Sequence, residues 1–530
     1  MPHLTDHDLR QMDEAWLQSL PEAVARTVLL RVVDDLKEAR DRLNQHCGNS
    51  SRPPSSRPPW ENRRASEAEE DEDDGVLGDR TAVSPAAEAA EDVTCRPEEA
   101  SPRVPVTASS GRKPGQQAGS PGHGRTQKLL VQAVVHRHPE VCAACGAALT
   151  AGGSAYTGWD TIDLMPLAPG EAGLKLGVTR TVLHEAGCAC GHHTRAGHDQ
   201  APPDTAWEDV ALGEWRLLGP RLTAVVALLT VRYRLSRVKV KELLAELFGL
   251  HVSTGLIDHT LREAGRAVAP LEAELVAEIE QAALVHADET SWREAGQALW
   301  LWVFVTAQTV LFQIGYRTQE IVANVLSAAF QGELMSDGYR VYRSYPHRLR
   351  CWAHLLRKLV GLAESTHRRV AAIGQQLHAT FSGLQDAIYT ARESEAPPGS
   401  LASEYAAAIE TLRQTCERHR DDPHEPLRKV VREFLFDWDV ILRPLYDPSL
   451  PLTNNEAERA LRHYVIARRI SHGTRSELGS RAYALLASVI ETCRRRGTVV
   501  LEFLGTVIAA ARKGLALPTL PEIQAISPGV

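Results

Sequence analysis

No apolar run in this chain of 530 residues is long enough to cross a bilayer. A spanning helix needs about 20 mostly apolar residues, and the longest runs here, such as Ala298–Val305, are of strand length. The opening residues, Met1-Pro2-His3-Leu4-Thr5-Asp6, lack a basic stretch followed by an apolar one, so no export signal is expected. Cysteine is sparse: nine in the chain, four of them in two close pairs, Cys142 with Cys145 and Cys188 with Cys190. That scarcity excludes a secreted disulfide framework, and paired thiols in a reducing compartment point to metal. The expectation is a soluble, cytoplasmic protein with no membrane partner.

A basic surplus is also missing from the whole, which carries a formal charge of -8, but the charge is unevenly placed. Glu67 to Glu99 holds 13 acidic and 2 basic residues, a net of -11, so the remainder stands close to +3. Thr453 to Lys513 holds 11 Arg and Lys against 5 Asp and Glu. An acidic tether and a basic C-terminal body are compatible with a polyanionic partner. The length exceeds what one hydrophobic core organises, and roughly two to four folded units are expected.

Glu22 to Gln45 reads as a helix, with Leu29, Leu36 and Leu43 seven apart and Val32 and Ala39 between them. This spacing fits a short coiled-coil seam or an amphipathic helix packed on its own chain. Gly48 to Gln127 is Ser, Pro, Arg, Gly and acidic residues with almost no aromatic or branched apolar side chains. Such a segment buries too little surface to offset its ordering entropy and reads as disordered linker.

Between Lys128 and Gln200 the cysteine pairs are separated by β-like stretches, Thr161–Met165 and Val178–Leu183. Cys142-Ala-Ala-Cys145-Gly146 is half of a zinc knuckle, and Cys188-Ala-Cys190-Gly191-His192-His193 is a compressed second half in which His192 or His193 stands ready to replace a thiol. No Glu-and-His activating motif accompanies them, so the zinc is expected to be structural. Further on, Val240, Leu243, Leu244 and Leu247 give helical spacing; Gly249 breaks it, and Ser253 or Thr254 caps a second helix through Ile257 and Leu261. As a helix-turn-helix this pair would offer His259 and Arg262 to a DNA groove. Two packed helices around a glycine are also common in any helical domain.

From Ala282 the period becomes strand-like: Leu284–Ala287, Ala298–Thr306, Val310–Gly315, then a helix Gln319–Phe330, a fourth strand Glu333–Ser336 and a fifth around Leu349–Ala353. Three hairpin-linked strands, a helix and two further strands is the order of a ribonuclease-H-like mixed sheet. In that order the first and fourth strands are neighbours, which brings Asp288 and Asp337 together. Buried carboxylates demand a cation, and paired magnesium or manganese ions clamp the two oxygens of an in-line phosphodiester displacement. The segment Leu452-Thr453-Asn454-Asn455-Glu456-Ala457-Glu458-Arg459-Ala460-Leu461-Arg462 supplies a helical third ligand. Thr453 and Glu456 fit a capping box, leaving Glu458 to face inward; the alternative is a surface pair of Glu458 with Arg462.

Four stretches occur in order: His286-Ala287-Asp288-Glu289-Thr290-Ser291-Trp292, Ser336-Asp337-Gly338-Tyr339-Arg340-Val341-Tyr342, Cys351-Trp352-Ala353-His354-Leu355, and Asn454-Asn455-Glu456-Ala457-Glu458-Arg459-Ala460-Leu461-Arg462. Together they resemble the insertion sequence 66 family of bacterial transposases. The resemblance implies a multidomain α/β protein: N-terminal helix (1–47), linker (48–127), zinc-binding module (128–200), helix-turn-helix region (201–280), first part of the catalytic core (281–356), helical insertion (357–449), core helix with Glu458 (450–475) and C-terminal helical region (476–530). It implies that Asp288, Asp337 and Glu458 bind two metal ions, that Arg459 and Arg462 lie near phosphate, and that His354 matches a family histidine of open role. It implies strand cleavage and transfer at an element's terminal inverted repeats and a target DNA, by a homo-oligomer on nucleoid DNA, with accessory proteins from the same element. Two departures are the compressed Cys188-x-Cys190 and the absence of the expected aromatics in Ile466–Gly473. Different readings are a silent DNA-binding descendant of a transposase and a nuclease of the same fold without strand transfer.

Overall fold

The computed structural model describes residues 20–45, 129–150, 152–166, 173–208, 210–394 and 401–522, together with the single residues Met12, Trp16, Asn49 and Gln127. The stretch read as linker therefore lies, but for Asn49 and Gln127, outside the described residues. Mixed sheets and many helices make the chain a multidomain α/β protein. No described helix is long and apolar enough to cross a membrane.

The expected N-terminal helix is α1, Glu22–Leu43. A small sheet follows, of β1 Ala133–Arg137, β2 Ser154–Leu164, β3 Leu176–Gly187 and β4 His193–Arg195, in the order β1-β3-β2 with β4 also on β3. Next come α2 Pro220–Val231, α3 Arg237–Phe248, α4 Thr254–Val268 and α5 Glu272–Glu280. The turn between α3 and α4 is made as the sequence predicts: Gly249 is left-handed with φ 61°, and Ser253 accepts the Leu256 N–H to cap α4.

The main sheet consists of β5 Leu284–Glu294, β6 Gln297–Val305, β7 Val310–Gly315, β8 Glu333–Ser336 and β9 Arg348–Arg350, in the order β7-β6-β5-β8-β9. β5, β6 and β7 are antiparallel neighbours, whereas β8 runs parallel to both β5 and β9. The expected adjacency of the first and fourth strands is therefore present. The helix expected over Gln319–Phe330 shrinks to α6, Gln319–Ala323. Tertiary contacts claim the groups that would continue it: Glu280 takes the Ser327 N–H at 2.9 Å, and Tyr345 Oη donates to the Leu326 carbonyl at 2.6 Å.

Seven helices then form, α7 Trp352–Ala363, α8 Arg368–Glu393, α9 Leu401–Glu404, α10 Ala406–Arg418, α11 Glu425–Phe436, α12 Trp438–Tyr446 and α13 Asn455–Ser471, and two more, α14 Glu477–Arg495 and α15 Val500–Arg512, follow them. The first six of these share a core of their own around Trp352, Phe381 and Phe434. Trp352 stacks on Phe381 at 4.2 Å, and its Nε1 donates to the Ile441 carbonyl at 3.0 Å. The other large core joins the sheet to α2, α4, α13, α14 and α15. α13 packs on β5 and β6, and α14 covers the outer strand β7.

Candidate active site and cysteine cluster

His286 and Met335 are partners in the parallel β5–β8 pair, so two residues further on each strand Asp288 and Asp337 emerge at the same level of the sheet. Glu458 stands on the first turn of α13, near enough for its charge to act on Asp288 and for the Asp337 charge to act on it. Burial pushes the Asp288 carboxyl well above its usual range, and the charges of Asp337, Glu289 and Glu458 push it further. Glu458 is raised by burial as well, relieved by Arg357 and pushed up again by Asp337. Asp288 and Glu458 thus both feel the Asp337 charge in a setting that penalises their own, an arrangement that protons or cations neutralise. The Asp337 Oδ1 accepts the Tyr339 N–H at 2.9 Å across a turn whose Gly338 has φ 97°.

One of the side chains that tie α13 to β5 beside the carboxylates was not singled out in the sequence. The capping box of Thr453 and Glu456 does not form: Glu456 pairs with Arg459 and Arg495, at 3.1 and 2.9 Å. The residue at the helix start is Asn454, fully buried, and its side chain makes no cap. Its Nδ2 donates to the Ala287 carbonyl at 2.9 Å, and its Oδ1 accepts from His286 Nδ1 at 3.1 Å. Asn454 therefore grips the two residues before Asp288, one helical turn from Glu458. The foreseeable signal was its place in one of the four stretches that carry the family resemblance, Asn454-Asn455-Glu456-Ala457-Glu458.

Two more holding contacts were missed. Arg350 on β9 donates to the Asp337 carbonyl at 3.2 Å and forms ion pairs with Asp437 and Glu433 of the inserted helices. Gly338 permits this approach, since a Cβ there would fall 2.2 Å from the Arg350 guanidinium carbon. Beneath the site, Glu289 takes Arg317 at 2.6 Å and the Tyr342 hydroxyl at 2.8 Å. Burial and the Asp337 charge still raise it to about 7.

On the α7 side, Cys351, His354 and Glu458 offer ligand atoms within 4.8 Å of one another. His354 Nδ1 lies 3.6 Å from Glu458 Oε1, and Arg357 lies 3.9 Å from the same oxygen. Burial first, and Arg357 next, lower His354 to about 4, so its imidazole is neutral beside the carboxylate.

The four cysteines converge. Their sulfurs lie within 4.8 Å of one another, with Cys142 to Cys190 at 3.7 Å and Cys145 to Cys188 at 3.6 Å. The group is complete without His192 or His193. Each pair sits on a turn closed by a left-handed glycine, Gly146 at φ 72° and Gly191 at φ 88°, which explains why the shortened second spacing still presents both thiols. The Cys145 N–H, which favours the thiolate, lowers Cys142 to about 6. Against the pull of the Ala147 N–H, the sulfurs of Cys188, Cys190 and Cys142 raise Cys145 to about 12. Four crowded thiols of this geometry can bind zinc.

The remaining site residues are not drawn together. His259 is half-buried on α4, and Arg262 is paired with Asp258 at 2.7 Å. Arg459 and Arg462 are exposed on α13, beyond Glu458.

Residues 216–482 match the family model described as "Transposase IS66 family". The chain is 24% identical over 311 residues to "Uncharacterized protein y4qI" of Sinorhizobium fredii (strain NBRC 101917 / NGR234), covering 53% of this chain and 57% of that protein. It is 30% identical over 178 residues to "Uncharacterized protein y4jO" of the same strain, covering 32% of this chain and 51% of that one. The chain thus spans about half the length of the curated relatives it matches.

Proposed function

The chain belongs to the IS66 family of transposases, and from that premise we propose that it cuts and joins DNA strands with Asp288, Asp337 and Glu458 as the ligands of two magnesium or manganese ions. The observation that carries this reading is the adjacency of Asp288 and Asp337 at the same level of neighbouring parallel strands, with the carboxyls of Asp288 and Glu458, from different elements, both raised by burial and by the charge of Asp337. The strand order, with the first strand between the second and fourth, supports a ribonuclease-H-like core. When bound, the metal pair supplies an activated oxygen nucleophile and neutralises charge on the phosphodiester.

The chain's own residues have separable tasks. Asp288 and Asp337 present oxygens from neighbouring parallel strands, and Asn454 sets the helix that delivers Glu458. Arg350 fixes the backbone of Asp337 through its carbonyl. Arg459 and Arg462 contact phosphate from the exposed side of α13, while His259 and Arg262 contact end DNA once Arg262 leaves Asp258. The four cysteines hold structural zinc. The partners are the element's terminal inverted repeats and target DNA, met on the bacterial nucleoid by a homo-oligomer with accessory proteins of the same element.

A supercoiled plasmid carrying the element's ends provides the test. Wild type with magnesium is expected to nick the plasmid and join the new 3′ ends to target DNA, and Asp288→Asn to bind the ends equally while doing neither. Cleavage by Asp288→Asn at the wild-type rate would refute the assignment.

A further inference from the structure

A further group of potential metal ligands lies where the N-terminal helix meets the inserted helices, apart from both sites described above. Asp41 stands in the last turn of α1, His367 immediately precedes α8 and His424 immediately precedes α11. One ligand atom from each lies within 4.8 Å of the other two. Asp41 is thus gathered with two histidines that lie more than three hundred positions away from it in sequence.

The Asp41 carboxylate is oriented from behind: Ser365 Oγ donates to Oδ2 at 2.5 Å and the Thr366 N–H to Oδ1 at 2.8 Å. Such donors fix a ligating carboxylate and leave a lone pair on each oxygen. The two imidazoles face one another edge to face, with centroids 5.0 Å apart. His424 Nε2 is buried and has no hydrogen-bond partner, a state that native structures rarely tolerate. Its other nitrogen, Nδ1, meets the Leu427 N–H only at 3.4 Å.

We propose that Asp41, His367 and His424 bind one divalent transition-metal ion of the zinc class, which staples α1 to the inserted helices. Two imidazoles and one carboxylate form a set that suits zinc, nickel or cobalt and leave a fourth position for water. Magnesium, which prefers near-octahedral oxygen coordination, is disfavoured there. Coordination through His424 Nε2 puts the ring proton on Nδ1 and gives up the long contact to Leu427, the weaker of the two demands on that ring.

The full chain, loaded with zinc and gel-filtered in excess magnesium, is the material for the test. Wild type is expected to retain one zinc ion per chain more than Asp41→Asn or His367→Gln. With cobalt, the difference between wild type and His367→Gln should show weak d–d bands without the thiolate charge transfer of a cysteine site. In wild type alone, zinc should slow amide hydrogen exchange over residues 22–43, and this readout requires no variant to fold. Equal zinc content in wild type and both variants, or exchange over 22–43 that zinc leaves unchanged, would overturn the staple.

Discussion

Asn454 makes the sharpest demand of any single residue around the carboxylates. Its amide is wholly buried and spends both ends on β5, so its replacement strands the Ala287 carbonyl and the His286 N–H where no water reaches. Losing a buried hydrogen-bond partner costs about 1–3 kcal/mol. Asn454→Ala is therefore expected to destabilise the chain by about that amount and to reduce DNA nicking further than the stability loss explains, because Glu458 sits one turn along the freed helix end. Urea unfolding and the plasmid assay, run side by side, check both halves. Asp288, Asp337 and Glu458 stood out as candidates because they are carboxylates at the ends of apolar strands or in stretches that resemble the family's. Asn454 was not: local spacing favoured Thr453 and Glu456 as a cap, and only the packing of α13 on β5 reveals where the amide goes.

At the scale of elements, β6, β7 and β8 were legible to within a residue, since apolar runs such as Gln297–Val305 leave little choice of period, whereas β5 runs seven residues beyond the expected Leu284–Ala287 because its polar second half pairs with β6. What could not be read is how the sheet's outer edge is closed. β7 has no further strand beside it, and an open edge invites pairing with another chain. Here α14 supplies side-chain hydroxyls instead: Ser488 Oγ accepts the Phe312 N–H at 2.8 Å, and Thr492 Oγ1 accepts the Val310 N–H at 3.0 Å while donating to the Val310 carbonyl at 3.1 Å. Nothing in a helical sequence marks two hydroxyls one turn apart as strand partners. Ser488→Ala with Thr492→Val removes both acceptors with little change in shape, and is expected to cost about 2–5 kcal/mol. Denaturant midpoints would measure the loss, and light scattering on warming would show earlier aggregation; an unchanged midpoint would mean that water satisfies those amides.

At the scale of the whole molecule, the inserted helices are a support for the sheet rather than a passive appendage. Their presence was implied by the family resemblance and agrees with their Leu-, Ala-, Arg- and Glu-rich sequence, but the way they return to the site was not legible, because Asp437 and Glu433 lie 87 and 83 positions from the arginine they hold. Asp437 takes both Arg348, at 2.6 Å, and Arg350, and its side chain is fully buried. Lys358 joins through Glu433 at 2.8 Å. Removing the central acid leaves two arginines facing each other with too little countercharge, and breaking a buried ion pair from one side costs about 3–5 kcal/mol. Asp437→Asn is accordingly expected to lower the melting temperature and to weaken strand cleavage, since Arg350 no longer has a fixed position from which to hold the Asp337 carbonyl. Gly338→Ala separates the two effects: it leaves the ion pairs' chemistry intact but sets a methyl where the guanidinium lies, at a φ of 97° that suits glycine. If the inserted helices act on the site through Arg350, Gly338→Ala should reduce cleavage as strongly as Asp437→Asn while keeping the inserted helices protected in hydrogen exchange; cleavage at the wild-type rate in Gly338→Ala would show that this arginine does not position Asp337.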